Sequence, residues 1–504
     1  RGNPRSETAV RKIDIRRRLR MPFSGLKPEK LWEHFSNILE IPHCSGNEEK
    51  LAEHLLSYAG EKGFEADKDE AGNVVIRVPA SEGKEDAPTV VLQGHLDMVC
   101  EKNSDVDVDF MKDGITAKKE GDWITAEGTT LGADNGVGLA AALAIADDES
   151  AVHGPLEILA TVSEEVGLIG AGELQPGFLK GEIMLNLDSE EIGEVYIGCA
   201  GGGDSVLRLP LEMVDAPSGA AMLSVKVKGL RGGHSGIDII EQRGNAIKVL
   251  ARVLSKIGGQ HEIMIGSIQG GSKRNAIPRE AAAVIALQGG DSAAAEKIVS
   301  DELKKISAEL GGTEENMDIV VEEADEKPGK VVNGESTATL LNLLIALPHG
   351  VETMSYDIEG LVETSNNLAT IKLEEGKAVI GTSTRSSIAS ALHALSDRIT
   401  AVAKLAGAEV EEEAPYPGWK PNLQSKILAL VKKVHKREFG EEPEMKAIHA
   451  GLECGIIGEK FSGMDMVSFG PWIEHPHSPD ERVNIPSVET FWKLLKAVLK
   501  EVAA

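Results

Sequence analysis

From Pro28 to Glu40 apolar residues return every three or four positions, which predicts a helix with one buried face. A second helix is predicted over about 47–60, with Ser45 and Asn47 as candidates to cap its first turn. The period then shortens. "NVVIRVP", after the turn "DEAGN", and "TVVLQGHLD" read as strands. A polar stretch (101–128) leads to "GADNGVGLAAALAIADD", a glycine-rich turn feeding a helix of small residues. "GPLEILATVS", "EIMLNLDS" and "EVYIGCA" are further predicted strands, the first two apolar almost throughout, as in strands covered on both faces. Such strands alternating with helices predict a layered α/β domain.

The glycine-rich "CAGGGDS" (199–205) reads as a hinge. Beyond it, "MLSVKVKG" alternates in polarity, "GNAIKVLARVLSKI" is helical, "AAAVIAL" is a strand and a helix spans about 292–310. This is the order of an α+β sandwich. The region 313–335 is acidic and reads as loop. A second, similar set follows and closes with "KAVIGTSTRSSIASALHALSDRITAVAKLAGA". Laid without gaps on "AAVIALQGGDSAAAEKIVSDELKKISAELGG", with Val379 over Val284, it matches at few positions, so an internal repeat is suggested only. "EEEAPYPGW" (411–419) reads as a linker, after which α/β character returns and the chain ends in a helix.

Composition narrows the function. At 504 residues the chain exceeds what one core usually holds, so two domains are expected. A formal net charge of −28 excludes nucleic acid and anionic membrane as partners. No uncharged apolar stretch reaches the roughly 18 residues of a spanning helix. The four cysteines, Cys44, Cys100, Cys199 and Cys454, are scattered and form no CxxC, which predicts reduced thiols and a cytoplasmic location. Residues 1–20 hold eight Lys/Arg against two acids and no apolar core. They read as a tag or upstream residues in preference to an organellar targeting segment, and not as a secretory signal.

The stretch "ILATVSEEVGLIGAG" (158–172) ends an apolar strand in two adjacent glutamates, Glu164 and Glu165. Carboxylates against a buried strand are costly unless something positive meets them. Three other stretches share the arrangement: "LQGHLDMV" (His95, Asp97), "LGADNGVG" (Asp134) and "LNLDSEE" (Asp188). Strand ends are where α/β sheets place their sites. In His-x-Asp the imidazole can bind a metal while the carboxylate orients its other nitrogen. "GPWIEHPHSPDERV" adds His475 and His477. Two imidazoles with three or four carboxylates suit a pair of Zn²⁺ ions, Mn²⁺ or Co²⁺ being alternatives. Each motif taken alone has a plain structural reading: a turn aspartate, a solvated acid pair, a capping residue. Their joint occurrence in one α/β half favours the metal.

"GHLDMV", "GTTLGADNG", "NLDSEEIGEVYIGCAGG", "GLRGGHSG", "RNAIPRE", "VETSNNLA", "HAGLECG", "MDMVSFGP" and "HSPDE" together resemble the dinuclear-zinc metallopeptidases that include carnosinases and glutamate carboxypeptidase, from about Leu26 to the C-terminus. Within that family they resemble its bacterial dipeptidases. The resemblance implies a discontinuous α/β/α metal-binding catalytic domain with a large inserted α+β sandwich lid. All candidate zinc ligands lie before residue 190 or after 470. The expected organisation is therefore an extension over 1–20, a first catalytic segment over 21–203, a lid over 204–412 and a second catalytic segment over 413–504.

The resemblance also implies roles. His95 and Asp188 hold one zinc, Glu165 and His477 the other, and Asp134 bridges them. Asp97 sits behind His95, and Glu164 is the general base acting on a metal-activated water. His477 is preferred to His475 because it opens "HSPDE". His234, Asn275 and Arg385 match substrate-contacting positions of the lid. Family members hold the peptide bond after the bridging aspartate cis, which implies the same for Asp134–Asn135. The implied activity is hydrolysis of dipeptides, Xaa-His and broader, with small peptides as substrates and compatibility with a homodimer. The alternatives are an N-acyl-amino-acid deacylase or tripeptidase of the same fold, or a non-catalytic metal-binding relative.

Overall fold

The computed structural model describes residues 21–289 and 292–504, so the expectations for residues 1–20 lie outside it. The chain divides into two compact units. One holds the described residues up to Gly198 with Pro421–Ala447 and Leu452–Ala504; the other holds Cys199–Lys420 with Ile448–Gly451.

The first unit is built on an eight-stranded sheet, in the order Glu65–Lys68, Val74–Val78, Leu156–Thr161, Val90–His95, Ile183–Asn186, Asp465–Ser468, Glu194–Cys199, Glu444–Ile448. Its central strands are parallel: Val90–His95 pairs on one side with Leu156–Thr161 and on the other with Ile183–Asn186, which pairs with Asp465–Ser468. Every residue of Val90–His95 and of Leu156–Thr161 is buried, which accounts for their mostly apolar sequences. The helix Ala133–Asp147 is buried from Gly136 to Ile145. Its small residues allow that approach: a Cβ on Gly138 would stand 2.3 Å from the Leu187 carbonyl oxygen.

Inside the polar stretch 101–128 two short strands form, Ala117–Glu120 and Trp123–Ala126. They join Arg482–Asn484 and Ile473–Glu474 in a four-stranded sheet, which frames the loop carrying His475 and His477. The second helix runs over Glu49–Lys62 with Glu48 at its N-cap. Ser45 and Asn47 do not cap it; the Ser45 hydroxyl is drawn instead to Asp97. Cys44 and Cys100 form a disulfide, with Cα atoms 5.7 Å apart, where four reduced thiols are expected from the sequence. Fifty-six residues separate them, but the loop at Cys44 bridges to Met98, an adjacency that cysteine spacing does not reveal. Cys199 and Cys454 are buried. Among the described residues no helix is long and apolar enough to cross a membrane.

In the second unit we number the strands of the main antiparallel sheet in chain order: β1 Gly201–Pro210, β2 Ala221–Lys228, β3 Glu262–Gly270, β4 Ala281–Gln288, β5 Asp318–Glu323, β6 Val362–Glu374, β7 Lys377–Ser386 and β8 Glu409–Glu412. Their order across the sheet is β5-β2-β4-β3-β6-β7-β1-β8, with Gly350–Met354 added beside β6. The two halves mirror one another. β2, Ala246–Gly258, β3, β4, Ser292–Leu310 and β5 repeat as β1, Gly334–Ala346, β6, β7, Ala389–Leu405 and β8. The faint sequence overlay of Val379 on Val284 thus places β7 on β4, the matching strands. The helices bury an apolar layer against the sheet, including Leu250, Leu254, Leu344 and Ile399.

Two details depart from the sequence reading. Residues 201–205 are not a hinge loop but the start of β1, paired to Ser386–Thr382 of β7. The acidic region 313–335 is not all loop, since β5 and the strand Lys330–Val332 form within it. In β5, Asp318 and Glu322 alternate with Ile319 and Val321, which pack on the core.

Candidate active site

At the C-terminal ends of the parallel strands of the first unit, five side chains converge. His95 is the last residue of its strand, and its Nε2 lies 3.0 Å from Asp134 Oδ1 and 3.2 Å from Asp188 Oδ1. His477 Nε2 lies 3.2 Å from Asp134 Oδ2 and 3.0 Å from Glu165 Oε2. Asp134 therefore joins two groups, His95–Asp134–Asp188 and Asp134–Glu165–His477, in each of which one ligand atom per residue lies within 4.8 Å of the others. A third such group is His95–Glu164–Glu165.

Local structure explains each placement. Asp97, buried two residues past the strand end, takes the Glu164 N–H on Oδ1 at 2.9 Å and the Glu165 N–H on Oδ2 at 3.2 Å. It thereby fixes the turn that presents both glutamates. Ser45 Oγ donates to the same carboxylate at 2.7 Å. His95 Nδ1 faces the Asp97 backbone oxygen at 2.9 Å, which leaves Nε2 turned to the carboxylates. Asp134 opens its helix with a cis bond to Asn135, as the resemblance implies. Asn135 donates to the Leu187 carbonyl at 2.7 Å, and only glycine fits at 94, where a Cβ would be 2.2 Å from the Asn135 amide oxygen. His477 stands at positive φ in the loop after Ile473–Glu474. His475 is not among the converging groups.

Electrostatically the site is starved of positive charge. Burial, with Asp188, Glu453 and Glu165 nearby, holds the Glu164 carboxyl well above the usual range against the pull of His95. Burial pushes Asp188 up to about 6. Asp134 is held low despite its burial by hydrogen bonds from both histidines, and the bonds to Asp134 and Glu165 raise His477 to about 11. No lysine or arginine pairs with any of these carboxylates among the described residues. Glu165 Oε1 is buried without a hydrogen-bond partner, and Asp188 Oδ1, although 3.2 Å from His95 Nε2, makes no well-directed hydrogen bond. Orphaned carboxylate oxygens beside two imidazoles are a donor set suited to divalent cations, which would reverse the upward shifts.

Three residues escape the sequence reading. Glu481, within "HSPDE", accepts the backbone N–H groups of Leu131, Gly132 and Ala133 at 2.7–2.9 Å and so anchors the turn that presents Asp134. Ser45, a cap candidate by its position, serves Asp97 instead. Glu453 is buried beneath the strand ends. Two of them lie in motifs already quoted: Glu481 in "HSPDE", four residues after His477, and Glu453 in "HAGLECG".

The second unit brings its own predicted residues together. His234 Nδ1 accepts the N–H groups of Gly236 (3.3 Å) and Ile237 (3.1 Å), which leaves the proton on Nε2. Burial and the Arg385 charge lower its pKa, so the ring is a neutral donor. Arg385 lies in β7, only 8% exposed; Nη1 donates to the Tyr416 hydroxyl at 3.2 Å and Nε has no partner. No carboxylate pairs with this guanidinium among the described residues. With Asn275, Tyr416 and Ser383 it lines a cavity of about 360 Å³. His449, on the short segment assigned to this unit, hydrogen-bonds Ser365 Oγ at 2.8 Å and is held near 3 by burial and by Arg385.

The chain belongs to peptidase family M20/M25/M40, whose profile matches residues 91–501, and it is a hydrolase of that metallopeptidase family. More particularly, it is 43% identical over 482 residues to the cytosol non-specific dipeptidase of Escherichia coli (strain K12), covering 95% of this chain and 99% of the relative. Its fold matches the crystal structure of the aminoacylhistidine dipeptidase from Vibrio alginolyticus with a TM-score of 0.88 and 42% identity, over 95% of this chain and 97% of that one. The aminopeptidase PepT structure from Bacillus cereus shares the fold, with a TM-score of 0.55 and 17% identity over 95% of this chain and all of that one.

Proposed function

We propose that this chain is a dinuclear metallodipeptidase that hydrolyses dipeptides bearing a free C-terminal carboxylate, Xaa-His among them. One observation carries the reading: two ligand groups share Asp134, with the desolvated acid Glu164 beside them. The names of the Escherichia coli and Vibrio alginolyticus relatives support it, and the former supports a cytosolic location.

His95, Asp134 and Asp188 would hold one ion and Asp134, Glu165 and His477 the other, with Zn²⁺ as the proposed metal and Mn²⁺ or Co²⁺ as alternatives. When bound, the ions supply Lewis acidity that lowers the pKa of water toward neutrality and polarises the peptide carbonyl. Asp97 orients His95 and pins the turn of Glu164 and Glu165. Glu164 takes the proton of the attacking water and passes it to the leaving amine. His234 donates Nε2–H to the oxyanion that develops on the former carbonyl oxygen. Arg385 receives the substrate carboxylate on its fork, and Asn275 hydrogen-bonds the same end.

A panel of dipeptides, tripeptides and N-acetyl amino acids, assayed with added Zn²⁺, Mn²⁺ and Co²⁺, tests this. Dipeptides are expected to give the highest kcat/KM. A higher value on N-acetyl amino acids or tripeptides overturns it. Arg385→Ala is expected to raise KM for free dipeptides about 10–100-fold, the value of a charge-assisted bidentate contact, while leaving weak hydrolysis of C-terminally amidated dipeptides unchanged. Equal losses on both substrates would remove Arg385 from carboxylate binding.

A further inference from the structure

"HAGLECG" is a motif whose acid has no role in the mechanism above. That acid, Glu453, opens the helix Glu453–Lys460 and is 0% exposed. Burying a carboxylate away from water is costly, and no lysine or arginine offsets it among the described residues. Its Oε2 accepts two hydrogen bonds, from Gln93 Nε2 at 2.5 Å and from Thr161 Oγ1 at 2.7 Å. Its Oε1 has no hydrogen-bond partner.

The two donors lie directly behind the site residues. Gln93 precedes His95 by two residues, on the same face of the same strand. Thr161 is the register partner of His95 on the neighbouring strand and comes three residues before Glu164. The chain of bonds continues sideways. Gln93 Oε1 accepts from Asn186 Nδ2 at 2.5 Å, and Asn186 Oδ1 in turn accepts from Ser468 Oγ at 2.5 Å and the Asp188 N–H at 3.3 Å. Glu453 is the terminal acceptor of this amide relay. It spans the three strands whose ends deliver His95, Glu164 with Glu165, and Asp188.

We propose that Glu453 is a positioning residue for peptide hydrolysis, holding Gln93 and Thr161 so that His95 and Glu164 stay in register with one another. The proposal rests on the hydrolytic reading given above. The needed property is a two-fold acceptor at Oε2, because both partners present hydrogens to it. A glutamine can supply this through its carbonyl oxygen, its amide taking the place of the unpartnered Oε1. An alanine cannot. A misplacement of about 1 Å at reacting groups costs up to about 10²-fold in rate, so the effect falls on kcat.

The test compares Glu453→Ala, Glu453→Gln and Thr161→Val in the full-length metal-loaded protein, on a dipeptide that the unmodified protein cleaves. Glu453→Ala is expected to lower kcat about 10–100-fold with KM within about 2-fold and two metals per chain by elemental analysis. Glu453→Gln is expected to recover kcat to within a few-fold. Thr161→Val, which removes one of the two donors without opening a cavity, is expected to lose some of the same kcat with metal content intact. It keeps the test decisive if Glu453→Ala fails to fold. The proposal is overturned by a Glu453→Ala or Thr161→Val protein as active as the unmodified one. It is equally overturned if excess metal restores the loss, or if Glu453→Gln is as impaired as Glu453→Ala. Failure of the unmodified protein to cleave any dipeptide would instead strike the functional reading itself, and the ratios between variants would remain to be read on its true substrate.

Discussion

Glu164→Gln is expected to lower kcat by about 10²–10⁴-fold while leaving two metals on each chain. The substitution keeps volume and a hydrogen-bonding tip but removes the ability to take a proton. Glu164 reaches its place through its backbone, which Asp97 holds at 2.9 Å, so a side-chain change does not disturb the turn. Glu165 is the contrast. Its Oε2 contacts His477 and its Oε1 is buried without a partner, as suits a ligand, so Glu165→Gln is expected to lose metal first and rate as a consequence. Elemental analysis beside steady-state kinetics separates the two. If both variants lose metal alike, Glu164 is a ligand, as the grouping His95–Glu164–Glu165 would then explain, and the base must be sought elsewhere.

Asp134→Ala is expected to be still more damaging, with metal content falling below one per chain and activity reduced by more than about 10³-fold, given that loss of an outer hydrogen-bonding partner alone costs about 10–100-fold in metal affinity or activity. Asp134 is the residue shared by the groups His95–Asp134–Asp188 and Asp134–Glu165–His477, with one oxygen on His95 and the other on His477. Removing it leaves each of those two groups with two residues. Raising the metal concentration is therefore not expected to restore the rate, whereas a chelated unmodified protein should recover on adding metal back. Full recovery of Asp134→Ala in excess metal would mean that the two ions, if both bind, do not share a carboxylate.

The predicted elements that matter most for chemistry are legible because burial leaves a mark on composition. Val90–His95 and Leu156–Thr161 are covered on both faces and so are mostly apolar, with Gln93 and Glu157 as buried exceptions, until the site residues interrupt them. That interruption is what makes His95, Glu164 and Asp188 conspicuous, and the long motifs around them carry the family. The second unit's duplicated topology is only faintly visible. Its two halves share strand order and helix placement, which tolerate almost any residues of the right polarity, so the architecture persists where identity between the halves is slight.

The linear sequence, then, determined the apolar strands, the helices that alternate with them, the acids and histidines at strand ends, and through those motifs the family. Tertiary structure alone decided which residues support them. Ser45 abandons its helix for Asp97, fifty-two residues on. Glu481 anchors Asp134 from 347 residues away, and Glu453 reaches Gln93 across 360. Cys44 meets Cys100 because two loops run side by side. The physical reason is common to all four. Periodicity reports how a residue meets water, and that is set by its own segment. A hydrogen bond between buried polar groups depends on which distant segments the sheet brings within about 3 Å, and local pattern holds no record of that distance.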